Sequence, residues 1–174
     1  LLDYLAWDID VRREHMHDRR PPEVRVTEIE EGKILEAGGV TVSAFLVDHG
    51  PVKPAFGFRF DGGGRRVVVS GDTRPSENLV RWSQDVDCLI HECCDMAKTG
   101  WFPGCGWPTL EEKIRDLQSY HTPPGEVGRV ATDARAKTLV LSHLMPASEP
   151  AELLAAARTQ YAGPVVVGAD LLEV

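Results

Sequence analysis

The sequence predicts a mixed α/β (α+β) fold in which helices cover a β-sheet. Strand-like segments follow one another in the first half of the chain, whereas strands alternate with helices in the second half. The length of 174 residues suits one domain, and 43% hydrophobic residues can build a substantial core at that size. We therefore expect residues 1–174 to form a single domain.

The first half is predicted to hold one helix and five strands. Apolar residues at near-helical spacing in 1–14 indicate the helix, which the prolines of "DRRPPE" end. Short alternating segments separated by glycine-rich turns indicate strands, and "DGGGR" joins the last two as a hairpin. The predicted strands are 24–29, 33–37, 40–48, 55–60 and 66–70.

The second half is predicted to alternate helices with strands. Ser76 and Thr109 are good N-cap residues, and Glu112 lies at the capping-box offset from Thr109. Thr122 precedes Pro123, which favours the first position of another helix. The predicted helices are 76–84, 109–120, 122–134 and 149–161; the strands are 87–92, 138–143 and two short ones within 163–174; an irregular loop spans 93–108.

Composition restricts the classes of partner and compartment. The net charge of −8 disfavours a phosphate-backbone partner, so nucleic acid is not expected and a small-molecule substrate is favoured. No apolar run approaches the length of a membrane span. The four cysteines lie close together between 88 and 105, which is typical of reduced thiols in a cytoplasmic protein.

Three predicted strands run into side chains that bind metals. His49, Asp72 and His143 follow "AFLVD", "VVVSG" and "LVLS". Ligands collect beyond the carboxyl ends of strands in α/β sheets, and two imidazoles with a carboxylate suit Zn²⁺, Mn²⁺ or Fe²⁺. The alternative is a plain α/β domain in which both histidines are structural and the Gly-Asp-Thr turn is only a turn.

Four segments in series resemble the metallo-β-lactamase superfamily, and most of all its ribonuclease Z and arylsulfatase-like branch. They are "FLVDHGPVKPAFGFRF", "RRVVVSGDTRPSENLV", "DCLIHE" and "HTPPGEVGRVATDARAKTLVLSHL". The resemblance implies an αββα sandwich with a two-metal site between its sheets. It implies that His49 binds one metal, Asp72 bridges both, and His143 binds the second. Zinc is usual in the family, and iron or manganese occurs.

The same resemblance implies roles for two further residues. His121 matches a histidine that would donate a proton to the leaving oxygen or hold the developing anion. Glu92 would accept the ring N–H of His121 or of a ligand and so fix its tautomer. The alternative is that His121 only packs and that Glu92 is a solvated strand end. His91 is expected to be structural.

The chain departs from the family in one respect. The printed sequence contains no His-x-His-x-Asp-His segment; "HMHDRR" offers His15, His17 and Asp18, but Arg19 stands where the closing histidine belongs. We therefore expect the C-terminal part of a family domain, with a sandwich incomplete at the N-terminus.

Two functions remain open at this stage. The first is a metal-dependent hydrolase of an ester, a phosphodiester or a sulfate ester. The second is a non-catalytic remnant or binding module that holds at most one weakly bound metal. Missing strands would leave an apolar face uncovered, so a homodimer is expected.

The loop 93–108 contains two groups of residues that could have a function, its cysteines and its aromatic residues. Cys93, Cys94 and Cys105 lack the C-x₂-C spacing of structural zinc sites, so no separate zinc site with His91 is expected. Its aromatic residues, Trp101, Phe102 and Trp107, either line a pocket for an apolar substrate or cover the edge of the core.

Overall fold

A computed structural model describes residues 2–15, 26–100 and 104–173. Within these ranges the chain forms one seven-stranded sheet whose strands lie side by side in sequence order. The strands are β1 (Gly32–Ala37), β2 (Val40–His49), β3 (Val52–Gly62), β4 (Arg65–Val69), β5 (Cys88–Glu92), β6 (Leu139–Ser142) and β7 (Val165–Val167). Strands β1 to β4 form an antiparallel meander, and β4 to β7 are parallel.

Five α-helices of the described residues accompany the sheet, namely α1 (Leu2–His15), α2 (Glu77–Trp82), α3 (Leu110–Gln118), α4 (Pro124–Asp133) and α5 (Pro150–Arg158). A 3₁₀ helix spans Met96–Lys98. Ser76 caps α2, and Thr109 and Glu112 form the predicted capping box at the start of α3. None of the described helices is long and apolar enough to cross a bilayer.

The core lies between one face of the sheet and the helices α2, α4 and α5. Phe45, Val68 and Leu89 are fully buried there, and Leu79 and Leu153 reach them from the helices. Side chains alternate between the two faces of a strand, so this face is set by every second residue of each strand. The core therefore fixes the register of the strands and the positions at which they end.

The opposite face of the sheet is apolar and partly open. Val42 pairs with Leu35 on β1 and with Phe60 on β3, so these three side chains share a face. Leu35 is 56% exposed and Phe60 is 36% exposed. The family sandwich has a second sheet, whereas residues 2–15, 26–100 and 104–173 contain this single sheet.

The mixed α/β class is confirmed, and two details of the element prediction are wrong. Residues 26–29 form no strand, and 24–25 lie outside the described ranges. Residues 163–173 contain one strand, β7, and not the two that were predicted. Gly168 N–H makes the last hydrogen bond to β6, at the Leu141 carbonyl, and the chain then leaves the sheet.

Candidate metal centre

The predicted metal ligands lie at the same edge of the sheet. His49 is the last residue of β2, Asp72 follows β4 by three residues, and His143 follows β6 directly. Strand β2 is antiparallel to β3, which is antiparallel to β4, so β2 runs in the direction of the parallel strands. The carboxyl ends of all three strands therefore point to one edge, where ligands bind in α/β sheets.

The side chains at this edge converge on His121, which precedes α4. The ring centroids of His49 and His121 are 4.8 Å apart, and those of His121 and His143 are 5.4 Å apart. His143 Nδ1 lies 3.7 Å from Asp72 Oδ1. The structure thus brings His49, Asp72, His121 and His143 together.

The His49 ring is held in one tautomer. Its Nδ1 lies 3.1 Å from the carbonyl oxygen of Tyr120, which can only accept a hydrogen bond. Nδ1 therefore carries the proton, and in the neutral ring the Nε2 lone pair is left for a ligand. The edge of the Tyr120 ring also packs on the His49 ring at 5.1 Å. This is the arrangement in which proteins present a histidine to a metal.

His121 is held in the same way by a carboxylate. Glu92, at the end of β5, is 2% exposed, and its Oε1 accepts the His121 Nδ1–H at 2.9 Å. The backbone N–H groups of Thr73 and Thr122 also donate to Glu92, at 2.6 and 3.3 Å. Three buried donors thus share one carboxylate, which links the Asp72 loop to the start of α4.

The loop that carries Asp72 depends on Gly71. This residue has φ +63°, and a Cβ there would overlap the Phe56 carbonyl oxygen on β3. Thr73 fixes the other side of the loop, because its Oγ1 accepts from Asp48 N–H. Asp72 therefore projects from the sheet edge on a constrained backbone, with its side chain 44% exposed.

An ion pair supports the same loop from the end of β2. Arg74 Nη2 lies 2.6 Å from Asp48 Oδ2, and Arg74 Nε donates to the same oxygen. This hydrogen bonding lowers the pKa of the Asp48 carboxyl below its ordinary value. The carboxylate next to His49 is therefore already paired with Arg74.

His143 occupies an unusual backbone conformation. Its φ is +53°, which is uncommon for a residue with a side chain and recurs at functional sites. The ring lies nearly parallel to that of His121, with an interplanar angle of 14°. Its side chain is 45% exposed, so the site is open to solvent on this side.

The sequence analysis considered Cys94 only together with Cys93, Cys105 and His91, and did not place it beside His121 and His143. One ligand atom each from Cys94, His121 and His143 lies within 4.8 Å of the other two. Burial raises the pKa of the Cys93 and Cys94 thiols to about 12. The sequence shows only that Cys94 follows a predicted strand; its place beside Asp72 and His143 follows from the position of β5 between β4 and β6.

The other residues considered in the sequence take different places. His91 is fully buried; its Nδ1 lies 2.7 Å from the Glu92 carbonyl oxygen, and burial lowers its pKa. Trp107 Nε1 donates to Asp116 on α3 at 2.9 Å. His17, Asp18, Trp101 and Phe102 lie outside the described residues. Cys88, Cys93 and Cys94 are free thiols.

Residues 5–144 match the family described as "Beta-lactamase superfamily domain". Ribonuclease Z of Mycobacterium tuberculosis, strain H37Rv, is 32% identical over 171 residues, which cover 96% of this chain and 60% of that protein. Ribonuclease Z of Mycobacterium avium is 31% identical, covering 99% of this chain and 61% of that protein. The chain thus spans about three-fifths of the length of these two relatives. It spans 73% of the length of a putative ribonuclease Z from M. tuberculosis strain CDC 1551, which is also 32% identical.

Solved structures share the fold. The metallo-β-lactamase fold protein YhfI from Bacillus subtilis has a TM-score of 0.60 and 27% identity, covering 77% of this chain and 48% of that one. The short form of human tRNase Z has a TM-score of 0.53 and 22% identity, covering 80% of this chain and 43% of that one.

These relatives contradict the expectation of a small-molecule ester substrate without nucleic acid, because they are named as ribonucleases and a tRNase. That expectation was drawn from the net charge of −8. Net charge is a property of the whole surface, whereas bound cations are often the largest local charges in a site. A phosphodiester substrate is therefore compatible with an acidic chain.

Proposed function

Because the chain belongs to the beta-lactamase superfamily domain family, in its ribonuclease Z branch, we propose that it hydrolyses phosphodiester bonds in RNA with the help of a divalent metal. The observation that supports this proposal is the convergence of His49, Asp72 and His143 around the His121–Glu92 pair. The substrate class follows the relatives named ribonuclease Z and tRNase Z.

In the two-metal arrangement that the resemblance implies, His49 Nε2 would help to hold one ion, an imidazole nitrogen of His143 would help to hold a second, and the Asp72 carboxylate would serve both. Two neutral imidazoles and a carboxylate at one sheet edge fit Zn²⁺, Mn²⁺ or Fe²⁺, and zinc is the ion we propose. A bound divalent cation supplies Lewis acidity toward a phosphoryl oxygen and activates water as a nucleophile.

His121 would provide the proton for the leaving oxygen. Glu92 holds Nδ1–H at 2.9 Å, so the proton that can be transferred is the one on Nε2. The Glu92 carboxylate fixes the orientation of the ring and keeps Nδ1–H engaged, so that Nε2 is the nitrogen left to face the leaving oxygen. After transfer, the neutral ring keeps its Nδ1–H bond to Glu92 and is ready to take up another proton.

A groove beside His49 offers room for the RNA strand. Its volume is about 780 Å³, and its lining includes Lys53 and Arg81 together with Asn78 and Glu31. The two cationic side chains can contact phosphates, while Glu31 is already engaged by Asn78 at 2.8 Å and by the Leu46 N–H at 2.7 Å. Phosphate contacts of this kind position a strand without reading its sequence.

The test is cleavage of a tRNA-containing transcript by the full chain loaded with manganese and, in a parallel assay, with zinc. His121→Ala is expected to reduce the rate by about 10²–10⁴-fold, the usual contribution of a general acid. His15→Ala, at the end of α1, is the matched control and should leave the rate unchanged. Absence of cleavage by the zinc-loaded and manganese-loaded wild type would contradict the proposal and favour the binding-module alternative.

Four further points stay predictions. They are the choice of zinc, a cytoplasmic location, self-association, and correspondence to the C-terminal part of a family domain. Metal analysis of the purified protein and light scattering test the first and the third.

A further inference from the structure

We propose that Cys94, His121 and His143 form a second, inhibitory binding site for a thiophilic divalent cation such as Zn²⁺. This inference rests on the proposed function in one respect, since inhibition presupposes the hydrolytic roles given above to His121 and His143. The cation site itself rests on the contacts of these three side chains.

The three donors are close to the spacing that a zinc ion needs. Their ligand atoms all lie within 4.8 Å of one another. Zinc bonds of about 2.3 Å to sulfur and about 2.0 Å to nitrogen place tetrahedral ligand atoms about 3.3–3.6 Å apart. Small side-chain rotations therefore suffice to bring the three donors onto one cation.

Backbone hydrogen bonds hold Cys94 beside the two histidines. Cys94 N–H donates to the Thr122 carbonyl at 3.0 Å, next to His121. Cys93 N–H donates to the Ser142 carbonyl at 2.7 Å, next to His143. The segment after β5 is thus tied to both histidine-bearing segments, and Cys94 is 2% exposed. The thiol is positioned by the fold rather than by a mobile loop.

The tautomer of His121 suits it to bind a cation. Its Nδ1–H is committed to Glu92, so the neutral ring presents the Nε2 lone pair. The same nitrogen must carry a proton when His121 acts as a general acid. Binding a cation and donating a proton therefore exclude each other at this atom.

The second site also competes for His143. Its ring stacks on that of His121 at 5.4 Å and lies 3.7 Å from Asp72, so it belongs to both groups of ligands. A cation on Cys94 withdraws both His121 and His143 from the hydrolytic arrangement. A thiolate binds zinc, cobalt and cadmium in preference to magnesium and manganese. The Cys94 site is therefore more selective among these metals than the oxygen and nitrogen ligands of the hydrolytic site.

Cobalt(II) titration of the full chain tests the proposal directly. Coordination by a thiolate produces a near-ultraviolet sulfur-to-cobalt charge-transfer band, and the Cys94 thiol releases its proton as the bond forms. We expect the band in the wild type and its loss in Cys94→Ala, with at least ~10-fold weaker cobalt binding at this site. Cys93→Ala and Cys88→Ala are the controls and should keep the band.

Three outcomes separate this inference from the proposed function. A band that persists in Cys94→Ala overturns the inference. Cobalt binding without a sulfur band, abolished by Asp72→Asn, overturns it too but supports the hydrolytic ligand set. A sulfur band that forms in manganese-loaded wild type without slowing its RNA cleavage supports the cation site and refutes its inhibitory role, while the proposed function stands.

Discussion

Replacing Glu92 with alanine removes the carboxylate that three buried donors share. The side chain is 2% exposed and accepts from His121 Nδ1, Thr73 N and Thr122 N. Each donor left without a partner costs about 1–3 kcal/mol, and breaking a buried charged network costs about 3–5 kcal/mol in total. We expect Glu92→Ala to lower the free energy of unfolding by about 3–5 kcal/mol.

Urea unfolding measures this change, and thermal unfolding provides a second readout. At about 2–4 °C per kcal/mol for a chain of this size, the melting temperature should fall by about 6–20 °C. Glu92→Gln keeps one acceptor oxygen but places an NH₂ group against a backbone N–H, so we expect a smaller loss of about 1–3 kcal/mol.

The matched control is Glu126→Ala. Glu126 pairs with Arg129 at 2.6 Å, but both side chains are 45% exposed. Exposed pairs contribute at most about 1 kcal/mol. If Glu92→Ala destabilises the protein no more than Glu126→Ala does, Glu92 does not hold the three donors together, and the positioning of His121 would be refuted.

Three further predictions concern stability. Gly71→Ala should destabilise by about 1–3 kcal/mol more than Gly63→Ala in urea unfolding, because both glycines have positive φ but only the Cβ at Gly71 meets backbone. Gly128→Ala should destabilise the protein, since the added Cβ would overlap the α5 backbone. Gly125→Ala has open space around the added Cβ and should be neutral or stabilising by about 0.5 kcal/mol. Equal effects of the two substitutions on the free energy of unfolding would contradict the packing of α4 on α5. A lysine hydrogen bond lowers the pKa of Asp87 from 3.8 to about 2, so its stabilisation is present above about pH 4 and is lost as pH falls toward 2. Asp87→Asn should flatten the dependence of unfolding free energy on pH in that window, and an unchanged acid limb would contradict it.

The convergence of the three predicted ligands at one sheet edge could be predicted from the sequence because local signals determine it. His49, Asp72 and His143 each follow an apolar strand, and strands that run in one direction present their ends at one edge. The caps at Ser76 and Thr109 were predictable for the same reason, since a helix start depends on a few neighbouring residues.

Other features depend on contacts between distant segments. The place of Cys94 beside His121 and His143 requires β5 to lie between β4 and β6, which no local pattern reveals. Residues 26–29 were predicted as a strand from alternation alone, but strand formation also requires a pairing partner. The expectation against nucleic acid was wrong because net charge averages over the whole surface.

Zinc binding by His143→Ala tests whether this edge of the sheet binds a divalent cation, because His143 belongs to both proposed ligand sets. The measurement is the number of zinc ions retained per chain after dialysis, together with the dissociation constant from calorimetric titration. We expect the wild type and His15→Ala to retain zinc and His143→Ala to lose it. Retention of zinc by His143→Ala with the affinity of the wild type would refute the assignment of His143 as a metal ligand.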